Sequence, residues 1–153
     1  MALSQQAIID TSLRILSQFG MGDLSMRRLA RELDVQPSAL YWHVKNKQEL
    51  FVLLARRMLA AAVAAAEGSG AADLAWALRS VLLRYRDGAE IYALGLAFDG
   101  EELIPEAFRT SGGETLMDFI VGALILEQHR MDFERPDPSA GARFAAGVSR
   151  LIS

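Results

Sequence analysis

The 153-residue sequence contains no cysteine. That excludes a disulfide framework, a thiol nucleophile and thiolate metal ligation. No hydrophobic run is long enough for a bilayer span, which needs about 20 residues. The stretch Leu59 to Ala66 is short and mostly alanine. Residues Met1 to Gln6 are neutral and mixed, so no secretory leader is expected and the cytoplasm is the expected compartment. Strand-like alternation, internal repeats, a glycine-rich phosphate loop and a nucleophile elbow are all missing. What is present is globular composition, with 52% hydrophobic and 23% charged residues.

Net charge is −3, which argues against a chain coated for nucleic acid. Its distribution is uneven. Residues 1–50 hold six Lys/Arg against five Asp/Glu, leaving ten bases and fourteen acids for the remainder. A mildly basic front on an acidic body fits a small DNA-reading module attached to something else.

The whole chain reads as helix. From Gln5 to Phe19, Ile8, Ile9, Leu13, Ile15, Leu16 and Phe19 mark one stripe. Gly20 and Gly22 stop that helix, and Ser25 suits the N-cap of the next. There Met26, Leu29, Ala30 and Leu33 face inward and Arg27, Arg28 and Arg31 outward, with Arg28 set to pair with Glu32 one turn on. Pro37 opens a third helix whose inner side is Leu40 and Val44. Asn46 and Glu49 form a capping-box-like pair for a fourth, running to about Glu67 before Gly68-Ser69-Gly70. Further helices are expected over about 72–86, 89–98, 101–109, 114–131 and 140–152. Breaks are expected at Asp87-Gly88, Asp99-Gly100, Ser111-Gly112-Gly113 and 135–139.

Two short helices joined by a tight turn between Ser25 and Leu50 have helix-turn-helix geometry. The second carries an outward face of Ser38, Ala39, Trp42 and His43. Small residues at its start allow close approach to base edges. Tyr41, His43 and Lys47 offer donors for flanking phosphates, and Arg27 a reach to phosphate or guanine. The competing reading makes Tyr41-Trp42-His43 an aromatic corner of a helical bundle.

These residues carry a resemblance. Ser25-x-Arg27-x-Leu29-Ala30-x-x-Leu33-x-Val35, followed by Leu40-Tyr41-Trp42-His43-Val44-Lys45-Asn46-Lys47-x-x-Leu50, resembles the DNA-binding domain of the tetracycline-repressor (TetR) family. Arg86-Asp87-Gly88-Ala89 and the stretch Leu124 to Gln128 resemble that family's regulatory core. The resemblance implies an all-α protein, with a three-helix helix-turn-helix domain (1–46) on a ligand-binding and dimerisation domain (47–153). It implies a homodimer on double-stranded palindromic operator DNA, released by a small-molecule effector. The family's DNA contacts fall on Arg27, Pro37, Ser38, Ala39, Tyr41, Trp42, His43 and Lys47. Where family members often have glycine in the turn, this chain has Asp34, which tolerates positive φ.

Positions matching the polar drug contacts of the family's tetracycline sensors read Val63, Leu74 and Leu78, and the magnesium-binding histidine position reads Tyr92. A cavity is expected among Met58, Ala62, Trp76, Leu78, Leu82, Tyr92, Phe98 and Met117, with Trp76 and Tyr92 as anchors. Its effector is expected to be uncharged and largely apolar, because a charged drug would lose hydration there without replacement partners. The alternative is that these side chains simply fill the core. His129 near Glu127 and Asp132 lacks a metal-site motif, so no metal or cofactor is expected. No catalytic group is singled out and no enzyme is expected. The competing function is a helical protein-interaction bundle, or an enzyme, that has lost DNA binding. Dimerisation is expected through Leu116, Ile120, Leu124, Phe144 and Val148 in a two-fold four-helix interface.

Overall fold

The computed structural model describes residues 2–110 and 112–153, so Ser111 of the expected break lies outside them. The described residues form helices and no strand: α1 (Gln5–Phe19), α2 (Met26–Glu32), α3 (Pro37–Leu40), α4 (Lys47–Ala66), α5 (Ala71–Arg84), α6 (Gly88–Asp99), α7 (Glu106–Arg109), α8 (Gly113–Asp132) and α9 (Ala140–Ile152). Two 3-10 turns, Met21–Asp23 and Gly100–Leu103, join them. No described helix is long and apolar enough to cross a membrane.

Local chemistry sets the boundaries. The Ser4 hydroxyl accepts from the Ala7 amide (3.1 Å) to start α1, and Ser25 accepts from Arg28 (3.1 Å) to start α2. At α4, Asn46 accepts from the Glu49 amide (2.8 Å) while the Glu49 carboxylate accepts from the Lys45 amide (2.6 Å), the reciprocal pair foreseen from spacing. Gly20 ends α1 at φ 81°, and Asp34 takes φ 54° in the turn after α2. The expected single helix over 101–109 is split. Pro105 disfavours helical geometry in the residue before it, and Ile104 is extended at φ −95°, ψ 112°.

α4 is the axis of the molecule. Every residue from Leu50 to Ala55 is buried, because α1 closes one side and α5 and α6 the others. α6 crosses α4 at Gly95, where an added Cβ would stand 2.9 Å from the Ala55 Cβ. A layer of α8 and α9 covers α5 and α6.

Here one expectation is corrected. Leu116, Ile120, Leu124, Phe144 and Val148, assigned to a two-fold interface, are all buried within the single chain. α5 and α6 need that stripe of α8 and α9 to complete their own core. The outward apolar residues are instead Phe119, Ala123 and Leu126, beside a groove of about 510 Å³ along Ala146 and Gly147. The Phe119 ring lies directly on Gly147, where a Cβ would meet it at 2.1 Å. Phe19, counted with the inner stripe of α1, is half exposed and supports the Arg28 guanidinium at 4.3 Å.

Candidate nucleic-acid interface and effector region

α1, α2 and α3 form a small unit whose interior is Ile8, Ile15, Leu16, Leu24, Leu29 and Leu40, each with no solvent exposure. Leu40 and Val44 are fully buried, as their one-turn spacing required. α3 itself is one turn long. The Val44 amide donates to the Leu40 carbonyl (3.0 Å) and so extends it by a further turn through Tyr41-Trp42-His43. The Gln5 side chain donates to the His43 carbonyl (3.3 Å) and braces that turn from α1.

With the inner positions committed, the rest must face outward. Pro37, Ser38, Tyr41 and Trp42 are exposed, and Ala39, His43 and Lys47 half-buried at the same end. Trp42 is 89% exposed. A large aromatic left in water on a rigid turn recovers nothing from folding; its contribution awaits a partner surface.

The cations divide by partner. Arg28 is held by Asp23 (3.5 Å) and Glu32 (3.7 Å), so the pairing read from its i+4 spacing is present and its charge is used internally. Arg14 also reaches Glu32 (3.2 Å). Arg27, Arg31, Lys45 and Lys47 form no ion pair among the described residues. Among the described residues, the Lys47 ammonium lies over the Phe51 ring at 5.7 Å. Unpaired cations flanking an exposed small-residue and aromatic turn are what a polyanion with readable edges requires.

The eight residues expected around an effector divide differently. Met58, Ala62, Leu78, Leu82, Tyr92 and Met117 are buried in the common core. Trp76 and Phe98 are exposed at 45% and 59%, on separate elements. Trp76 packs against Phe144 of α9 (5.8 Å between rings) and under the Arg79 guanidinium (5.1 Å). Arg79 in turn pairs with Glu127 of α8 (2.5 Å). The Tyr92 hydroxyl already donates to the Leu103 carbonyl (2.6 Å), and burial pushes its pKa up. Two of the set border open clefts: Met117 one of about 240 Å³, with Leu96, Ile104 and Glu114, and Trp76 another of about 260 Å³ between α5 and α9, with Phe144, Val148 and Ile152.

Two polar residues escaped the sequence reading as individuals. Gln128 of α8 is buried and bonded through both ends of its amide, and Asp87 reaches across to Met21. The stretches containing them carried the family resemblance, but helical periodicity cannot show that they meet.

The family model described as "Bacterial regulatory proteins, tetR family" matches residues 8–54, the three-helix unit and the start of α4. The tetracycline repressor protein class D of Escherichia coli is 34% identical over 147 residues, spanning 82% of this chain and 67% of that protein. The crystal structure of BioQ with its natural double-stranded DNA operator superposes with TM-score 0.79 at 28% identity, covering 99% of each chain. A variant of TetR from Acinetobacter baumannii AYE in complex with minocycline superposes with TM-score 0.76 at 29% identity, covering 99% of this chain and 95% of that one. Sequence over 82% of the chain and architecture over 99% of it thus agree, and the chain belongs to the tetR family of bacterial regulatory proteins.

Proposed function

We propose that the chain is a ligand-responsive transcriptional repressor of the bacterial cytoplasm, binding palindromic operator DNA as a homodimer. Residues 1–46 act as the reading head and 47–153 as the sensing and dimerising body. The observation that carries the reading is the outward face of the α3 turn. Ser38 and Ala39 face base edges, Trp42 and Tyr41 pack on the sugar-phosphate walls, and Arg27, Pro37, His43 and Lys47 fix the register. The similarity to BioQ, solved on its operator, supports it.

Two copies meet through the outward side of α8 and α9, around Phe119, Ala123 and Leu126. Such a face supplies apolar surface for an isologous interface: Leu126 is half exposed, and Phe119 and Ala123 are only partly covered within the chain. The effector enters the body where α4, α5, α6 and α8 converge on Met58, Ala62, Leu78, Leu82, Tyr92 and Met117, with Trp76 and Phe98 at its margins. Since these side chains are packed, the ligand must open the core, and binding favours whichever arrangement of α4 leaves room for it. An uncharged, largely apolar compound suits that lining, and magnesium has no role there. The reading assigns no catalytic step.

Electrophoretic shift of the DNA upstream of its own gene tests the proposal. Retarded complexes that dissolve when Trp42→Ala replaces the parent are expected. A parent that shifts no duplex better than random DNA refutes it, and favours the interaction-bundle reading.

A further inference from the structure

The corner between α5 and α6 is built from polar contacts. Gln128 projects from α8 into it. Its Nε2 donates to the Tyr85 carbonyl (2.8 Å) and the Leu82 carbonyl (3.3 Å), and its Oε1 accepts from the Ala89 amide (3.0 Å). One side chain therefore satisfies the last carbonyls of α5 and a first amide of α6, groups that helix ends leave without intrahelical partners. Gly88 lets the corner close, because a Cβ there would stand 2.3 Å from the Leu82 carbonyl oxygen.

The residue between these contacts is Asp87, in the left-handed region at φ 58°. Its Oδ2 accepts from the amide of Met21 (2.8 Å), 66 positions earlier and at the exit of α1. Gly20 is required beside it, both for its own φ of 81° and because a Cβ would stand 2.8 Å from the same oxygen. The two stretches that resembled the family's regulatory core, Arg86 to Ala89 and Leu124 to Gln128, thus meet at one point. From that point a single carboxylate reaches the reading head.

We infer that Gln128 and Asp87 form a positioning relay: Gln128 fixes the α5–α6 corner, and the corner aims Asp87 at Met21 so that the head is held at one orientation on the body. The relay rests on the proposed repressor function for its purpose, but not for its contacts. A head held in this way presents α3 to DNA with less orientational freedom to lose on binding. Any ligand that moves α8 or α6 then reaches the head without touching it.

The test uses the full chain, three single variants with a fourth in reserve, and one double variant. Asp87→Gly keeps the left-handed backbone and removes the acceptor; Asp87→Asn keeps both. Gln128→Met keeps the length and removes the three hydrogen bonds that this side chain makes at the corner; Gln128→Glu, which loses both donors, replaces it if that variant does not fold. Two readouts are taken: hydrogen exchange of the Met21 amide, and affinity for a duplex selected with the parent protein.

Asp87→Gly is expected to speed Met21 exchange about tenfold, the scale of one hydrogen bond to a charged group, and to weaken DNA binding several-fold. Asp87→Asn should restore most of both. Gln128→Met, remote from the head, should also speed Met21 exchange, and should add little in the Asp87→Gly background. Parent-like Met21 exchange in Asp87→Gly or in folded Gln128→Met overturns the relay. So does DNA binding that is unchanged or tighter in Asp87→Gly. A parent that selects no duplex sinks the repressor reading alone, while the exchange readout still decides the relay.

Discussion

Trp42, Ser38, Ala39 and Lys47 sit within three turns of chain, yet the proposed reading gives each a different demand on DNA. Lys47 has no ion-pair partner among the described residues, and on the proposed reading its charge goes to phosphate and is blind to sequence. Lys47→Ala should weaken binding to every duplex alike and lower the slope of log affinity against log salt by about 0.9. An unchanged slope would remove Lys47 from the interface. Ser38 and Ala39 are small, and the proposed reading sets them against a base edge. Ala39→Leu should instead change which operator is preferred while leaving the salt slope intact, as read by binding to a panel of single-base operator variants. The outward placement of these residues could be read directly from the sequence, since the burial of Leu40 and Val44 fixes by spacing which neighbours face out. Arg28 could be set aside in the same way, through Glu32 one turn on.

At the scale of elements, α6 lies against α4 with no slack. Gly95→Ala would place a methyl 2.9 Å from Ala55 and 3.1 Å from Leu103, so α6 must lift off α4. The cost of overpacking, about 1–3 kcal/mol, exceeds the roughly 1 kcal/mol that alanine gains over glycine in a helix. A lower urea midpoint and weaker DNA binding are expected together, and a stabilised Gly95→Ala would show that the crossing has room. Tyr92→Phe leaves the buried Leu103 carbonyl without its donor and should cost about 1–3 kcal/mol in the same measurement. Neither contact was visible in the sequence. Periodicity placed Gly95 and Tyr92 on a helix, and the family resemblance made Tyr92 a ligand anchor, but a hydroxyl's partner depends on the fold of Gly100 to Ile104. Pro105 had disrupted exactly that part of the expected helix.

For the whole molecule, the sequence yielded the class, nearly every helix and the outward face of the α3 turn, because each follows from local spacing, caps and turn residues. It did less well where helices choose neighbours. α8 is apolar around much of its circumference, and nothing local says which side belongs to the chain's own core. The structure gives that side to Leu116, Ile120 and Leu124, leaving Leu126 half exposed. Sedimentation should therefore separate two aspartate variants. Leu126→Asp should fold and sediment as a monomer where the parent is a dimer at micromolar concentration. Ile120→Asp should lose its helical circular dichroism, since a charge without a partner is placed in the core. A Leu126→Asp chain that remains a dimer would move the interface elsewhere.

The central claim is that two copies of the α3 face read DNA together. Selection from a pool of random duplexes by the full chain tests it most directly. The account predicts enrichment of one palindrome, with two inverted half-sites about one helical turn apart, and a shifted half-site sequence for Ala39→Leu. A pool with no enriched sequence, or one enriched in a single unrepeated half-site, would contradict it.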